Sequence, residues 1–171
     1  MTTHHPDTGT LTAAEKRYEM TVSRTADSLT SWRTPARRRL LVQLNWACLA
    51  IMAAIAVAGY FWFPVLLAWI PMTVAICVVW TMLRTTIDAK DSAPARYLDE
   101  FETATLLDAR SRALSLVTGA LFVISMVLIF VSSFELGDGF RLAYMMGGLG
   151  IITFLAGAVI PAAAMTRTMP D

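Results

Sequence analysis

Between Arg39 and Arg84 lie 44 consecutive residues without an Asp, Glu, Lys or Arg. One helical crossing of a bilayer takes about 20 apolar residues, so this run is long enough for two. Residues 113–134 and 142–166 are charge-free runs of 22 and 25 residues. Composition agrees with this patterning. Of 171 residues, 56% are hydrophobic and 16% charged, against about 45–50% and ~25% in soluble domains. These figures exclude an ordinary soluble enzyme and a largely disordered chain. They also exclude a basic nucleic-acid-binding domain and a disulfide-built secreted module.

The long run divides at Gly59-Tyr60-Phe61-Trp62-Phe63-Pro64. Glycine weakens a helix there, and proline is tolerated at the start of the next. The sequence therefore predicts an all-α integral membrane four-helix bundle, with helices near 38–60, 64–87, 113–134 and 141–166. Pro71 falls inside the second and predicts a kink.

Orientation follows from the basic residues. Thirteen of the fourteen lie in 1–39, in 84–112 or at Arg167, and only Arg141 lies in an opposite-side connection. This positive-inside asymmetry places both termini and the middle loop in the cytosol, in a cytoplasmic (inner) membrane. The first apolar run starts near Leu40, so no signal peptide is expected. Tyr60, Trp62, Phe134, Phe140 and Tyr144 are expected at the outer interface, near the 135–140 connection with Glu135 and Gly137-Asp138-Gly139. Trp32, Trp46 and Trp80 are expected at the inner one.

Four segments result: a cytosolic N-terminal segment, 1–36; the first two transmembrane helices, 37–87; a cytosolic amphipathic helix, 88–112; and the last two transmembrane helices with a short cytosolic tail, 113–171. Residues 1–10 read as a disordered tail, with His4 and His5 too few to hold a metal. Thr12-x-x-Glu15 fits a capping box that starts a helix, whose apolar stripe is Leu11, Ala14, Tyr18 and Val22. Asp91-Ser92-Ala93-Pro94 ends the extension of the second transmembrane helix and is placed to cap a new one. From there Tyr97, Phe101, Ala104, Leu107 and Leu114 form an apolar face, opposite Asp99, Glu100 and Glu102. This helix is long enough to run on into the third crossing.

The stretch Leu98-Asp99-Glu100-Phe101-Glu102, followed by Asp108-Ala109-Arg110-Ser111-Arg112-Ala113, resembles a cytosolic element of small uncharacterised actinobacterial membrane proteins. Their pattern is Leu-Asp-Glu-Arg-Glu followed by Arg-Asp-Arg-Ala. Phe101 stands where that pattern has arginine, and Ala109 interrupts the second half. Twelve arginines against two lysines suit a GC-rich genome of that kind. The resemblance carries no activity. Prophage-encoded four-pass proteins of such hosts share the layout, which makes phage exclusion a role by analogy.

Chemistry-bearing groups are sparse within the spans. No ionisable Asp, Glu, Lys, Arg or His lies between the expected interfaces, where such residues mark transport paths. Gln43 and Asn45 are the strongest polar groups there and suit interhelical hydrogen bonds or headgroup contact. Cys48 and Cys77 are the only thiols, read as small packing residues. Asp99, Glu100 and Glu102 read as a solvated acidic face at a helix start, not a metal site. No cofactor, no metal and no catalytic residue is expected, and no nucleic-acid partner.

Small residues give the packing expectation. Ala50, Ala54 and Ala58 recur at four-residue steps, and Gly147, Gly150 and Gly157 share a face of the last helix. The reading that results is a non-enzymatic protein in the lipid bilayer whose cytosolic face recruits or stabilises a cytosolic or membrane protein partner. Tyr97, Phe101, Leu107, Asp99, Glu100 and Glu102 would carry the contact. The alternative is an oligomeric pore, holin-like protein or small transporter, for which homo-oligomer formation would be required.

Overall fold

The computed structural model describes residues 12–25, 29–134 and 138–169. The expected tail 1–10, Leu11 of the N-terminal stripe, and Glu135 and Gly137 of the outer connection lie outside them. All regular structure among the described residues is helical. α1 spans Ala13–Thr25, α2 Pro35–Phe61, α3 Trp69–Thr86, α4 Glu100–Ser133 and α5 Gly139–Thr168. Four helical stretches are long and apolar enough to cross a membrane: α2, α4, α5, and α3 together with the turn before it, Phe63–Thr86.

Local chemistry sets the boundaries. Thr12 and Glu15 exchange capping hydrogen bonds, Thr12 N to Glu15 Oε2 at 2.6 Å and Glu15 N to Thr12 Oγ1 at 3.3 Å. α2 opens with Pro35 at its first position, where the missing N–H costs nothing. Its last bond runs from Trp62 N to Ala58 O. Trp62 is extended, and a 3-10 turn over Phe63–Ala68, again opened by a proline, leads into α3.

Two proline expectations change with this geometry. Pro71 lies in the first turn of α3, not in a helix interior, because the chain uses 3-10 geometry up to Ala68. Its absent N–H is one that the first turn leaves unbonded anyway. Pro161 is the proline inside a helix, in α5, where the Gly157 carbonyl loses its i+4 donor.

The helices form a row in the order α4, α5, α2, α3, with α5 between α4 and α2. One core cluster joins Leu41 of α2, Leu83 of α3, Leu106 of α4, and Ala162 and Met165 of α5, together with Ile87. It lies at the end of the bundle that carries most of the basic residues, called here the basic end. A second cluster of Cys48, Leu49, Met52, Ile76, Ala156 and Val159 continues towards the opposite end without α4. Within the most apolar stretch of α4 no residue is buried. That stretch packs on α5 and leaves the rest of its circumference exposed, an apolar surface suited to lipid.

The small-residue expectation is corrected in its register. Nothing lies within 4 Å of where a methyl group would stand on Gly147 or Gly150. A methyl on Gly148 would meet Trp69 Cζ2 at 2.9 Å, and one on Gly157 would meet Val117 Cγ2 at 2.6 Å. Ala50 and Ala54 are exposed and Ala58 half-buried. The buried stripe of α2 is Leu41, Asn45, Cys48, Leu49, Met52, Ile55, Ala56 and Gly59. α5 has neighbours on both flanks, so its contacts do not coincide with the single face of Gly147, Gly150 and Gly157.

At the end opposite the basic residues, Phe63 stacks near Phe140 and Tyr144, each with ring centroids 6.1 Å apart. Arg141 Nη1 donates to Tyr60 O at 3.3 Å. These contacts tie α2, the 3-10 turn and α5 together with aromatic groups suited to headgroup depth.

Candidate functional site

At the basic end the helices continue into a cap built from α1, the turn at Thr30–Trp32, the 88–98 connection and the start of α4. After α3 the chain reverses through Asp88 and Ala89, both with φ 52°. The two 3-10 turns that follow, Lys90–Ser92 and Ala95–Tyr97, occupy the segment read as the start of a helix. The helix begins at Glu100 instead. Asp99 is its cap: Glu102 N donates to Asp99 Oδ1 at 2.6 Å, and Asp99 N donates to Glu102 Oε2 at 3.4 Å. Asp91, read as a possible cap, instead receives Arg84 on its carboxylate at 3.2 Å and Arg110 on its carbonyl at 2.8 Å.

From Glu100 the helix runs unbroken for 34 residues. At 1.5 Å per residue that is about 51 Å, against about 30 Å of hydrocarbon. The charge-free part begins at Ala113, so the first turns carry the charged residues of the helix.

The buried face of those turns is Glu102, Leu106, Ala109 and Ala113, one residue and about 100° away from the face predicted through Phe101 and Leu107. The apolar face expected to dock therefore points outward, with Phe101 69% and Leu107 59% exposed. Leu106 and Glu102 share the buried stripe: Leu106 enters the core, and Glu102 forms a part-buried ion pair with Lys90.

The six residues proposed for a partner thus separate by what they touch. Tyr97 packs on α1: its ring centroid lies 5.1 Å from that of Tyr18, and its hydroxyl donates to Glu19 Oε1 at 2.6 Å. Asp99 and Glu102 are occupied by the cap and by Lys90. Glu100, Phe101 and Leu107 remain exposed.

Electrostatics reinforce the docking of α1. Arg96 Nη1 lies 3.8 Å from Glu15 Oε1, and Arg33 Nη1 lies 2.9 Å from Asp88 Oδ1. Arg33 Nη2 also donates to Thr25 O at 3.2 Å, joining the end of α1 to the turn before α2. The hydrogen bonds from Thr12 hold the Glu15 carboxyl below its ordinary pKa, with Arg96 adding to the effect. Burial pushes the Tyr18 hydroxyl up, helped by the carboxylates of Asp88, Glu102 and Asp91. The bond to Glu19 pushes Tyr97 up in the same direction.

Phe101 also borders a groove of about 400 Å³ that runs across α5 between α4 and α2. Trp46 stands on its α2 wall, Ile160 on its floor, and Asp108 and Arg112 on the α4 side. Arg112 Nη2 and Asp108 Oδ2 are 2.8 Å apart, the i,i+4 pair that the spacing predicts.

The remaining candidate residues are dispersed. Cys48 is buried in the second core cluster and Cys77 is exposed on α3; both are free thiols. Asn45 is fully buried and donates to Leu41 O at 3.0 Å within its own helix. Among the described residues no three His, Cys, Asp or Glu side chains are grouped to hold a metal ion. Sequence reasoning missed Lys90, Trp69 and Leu106. The signal for the cap was available, since Asp99-x-x-Glu102 is the same motif that was recognised at Thr12-x-x-Glu15.

No family model matches this chain, and no curated protein or solved structure does either. Its class rests on the fold: a multi-pass helical protein with four helices suited to spanning a membrane.

Proposed function

We propose that this chain is a non-enzymatic four-pass protein of the cytoplasmic membrane that recruits or stabilises a protein partner at its basic end. Both termini and the 88–112 segment are then cytosolic. The observation that carries this reading is the exposed ring of Phe101. It stands on the first turn of a helix that outruns the bilayer, over a base made rigid by the Asp99 cap and the Lys90–Glu102 pair. Phe101 and Trp46 are both exposed and line one groove, and apolar side chains gathered in the open support a contact surface. Trp46, across the adjoining groove, supplies a second aromatic wall. Aromatic anchors flanking a pocket are the usual energetic centre of an interface.

Phe101→Asp is expected to abolish recovery of the partner from mild detergent while expression, membrane insertion and thermal stability stay unchanged. Trp46→Ala, on the opposite wall, is expected to weaken the same recovery. Retention of the partner by both variants would overturn the reading.

A further inference from the structure

Each of the four spans meets its basic-end boundary at an arginine: Arg39 before the first charge-free run, Arg84 after the second span, Arg112 before the third and Arg167 after the fourth. Two of the four have carboxylate partners. Arg84 pairs with Asp91 at 3.2 Å, and Arg112 pairs with Asp108 at 2.8 Å. Arg39 and Arg167 have none among the described residues, and both line one groove of about 650 Å³ between the start of α2 and the end of α5.

The groove is built to receive an anion. Its lining holds no acidic side chain among the described residues. Gln43, one turn beyond Arg39 on α2, adds an amide donor on the same wall. The hydroxyls of Thr166 and Thr168, also on the wall, donate to Ala163 O and Met165 O at 2.7 and 3.0 Å. They can only accept, so the donors available to a ligand are the two guanidinium forks and the Gln43 amide. Guanidinium forks match phosphate oxygens in pairs, and basic pockets between helices at the membrane surface hold lipid headgroups. Val42 and Ala163 give the groove an apolar floor towards the bilayer.

We propose that this groove binds the phosphate ester of an anionic phospholipid, held by Arg39 and Arg167 and oriented by Gln43. The bound lipid supplies the counter-charge that Asp91 and Asp108 supply at the other two boundaries. It also bridges α2 to α5, the central contact of the helix row. The inference rests on the four spans and not on the protein-partner reading, so either can fail alone.

The test uses the full chain in mild detergent, with thermal stability followed as phosphatidylglycerol, phosphatidylcholine or inorganic phosphate is added. Phosphatidylglycerol is expected to raise the unfolding temperature saturably, and the other two are not. Arg39→Gln/Arg167→Gln is expected to weaken the apparent affinity for phosphatidylglycerol by roughly tenfold or more, the loss of at least one charge-assisted contact. Lys16→Gln/Arg17→Gln, which removes equal charge from exposed positions on α1, is expected to leave it unchanged. If the double groove variant does not survive extraction, R39Q and R167Q separately carry the same test. An equal response to phosphatidylglycerol in the groove variants and the α1 control would overturn the site. A stability gain from inorganic phosphate equal to that from the lipid would overturn the lipid as its occupant.

Discussion

Glu102 is the residue on which the basic end turns. It is 8% exposed, caps α4 by accepting from Asp99 N, and pairs with Lys90 across 12 residues of chain. Removing its side chain leaves Asp99 N without its acceptor, a loss of about 0.5–1 kcal/mol, and leaves a half-buried ammonium without its carboxylate. Glu102→Ala is therefore expected to lower stability by about 2 kcal/mol in detergent melts. Glu100→Ala, on the exposed side of the same turn, should stay within about 0.5 kcal/mol. The docking of α1 carries its own pH dependence. The Glu15 pKa is lowered in the folded state, so its contribution is present above the ordinary 4.5 and lost as pH falls through the lower folded value. The pKa values of Tyr18 and Tyr97 are raised, so their contribution is complete below the ordinary 10.0 and lost as pH rises through the folded values. Amide hydrogen exchange over 13–25, corrected for its intrinsic pH dependence, should show α1 best protected between these limits and less so on either side. Tyr97→Phe should remove part of the alkaline limb, together with the bond to Glu19.

At the scale of elements, the close approaches in the helix row are made by Gly148 and Gly157, and the open face by Gly147 and Gly150. Gly148→Leu must displace Trp69, and Gly157→Leu must displace Val117 between α5 and α4. Each is expected to cost about 1–3 kcal/mol through overpacking. Gly150→Leu faces open space and is expected to leave the melting temperature unchanged. Equal melting of all three variants would remove the glycine contacts from the account of the row. The contrast shows what patterning can supply. Three charge-free runs, Gly59 and Pro64 were enough to place four crossings, because bilayer thickness fixes helix length. Asp99-x-x-Glu102 carried the start of α4 in the same way, but reading the helix from Asp91-Ser92-Ala93-Pro94 passed over that signal. The row order was not legible, because lipid-facing and helix-facing surfaces are equally apolar. In water the buried stripe of α4 would have been its most hydrophobic one; here it contains Glu102, Ala109 and Ala113. The pairing of Glu102 with Lys90 lay equally beyond the pattern, since it depends on the left-handed turn at Asp88-Ala89.

For the whole molecule, the division of charge is what supports the proposed orientation of the row. α1, the 88–98 connection, the first turns of α4 and the end of α5 all gather at one end. That end holds thirteen of the fourteen basic residues, and the other holds Arg141. Translocating the basic end would carry guanidinium and ammonium groups through the hydrocarbon layer, and the bias of Lys and Arg in short loops sets orientation. Many of those groups are also committed to the cap, as Arg33 is to Asp88 and Lys90 to Glu102. In the proposed orientation the end held in the cytosol is thus also the end that carries these ion pairs. Reporter fusions at residue 2, after Asp171 and within 92–96 are all expected to read cytosolic, and a fusion within 135–137 to read external. External signals at 92–96 and after Asp171, with residue 2 still cytosolic, would mean that one of the first two spans does not cross, leaving the cap unable to form around Leu83 and Ile87. An external signal at both termini with 92–96 also external would invert the row. The basic end would then face outward, and Phe101 with it, away from any cytosolic partner.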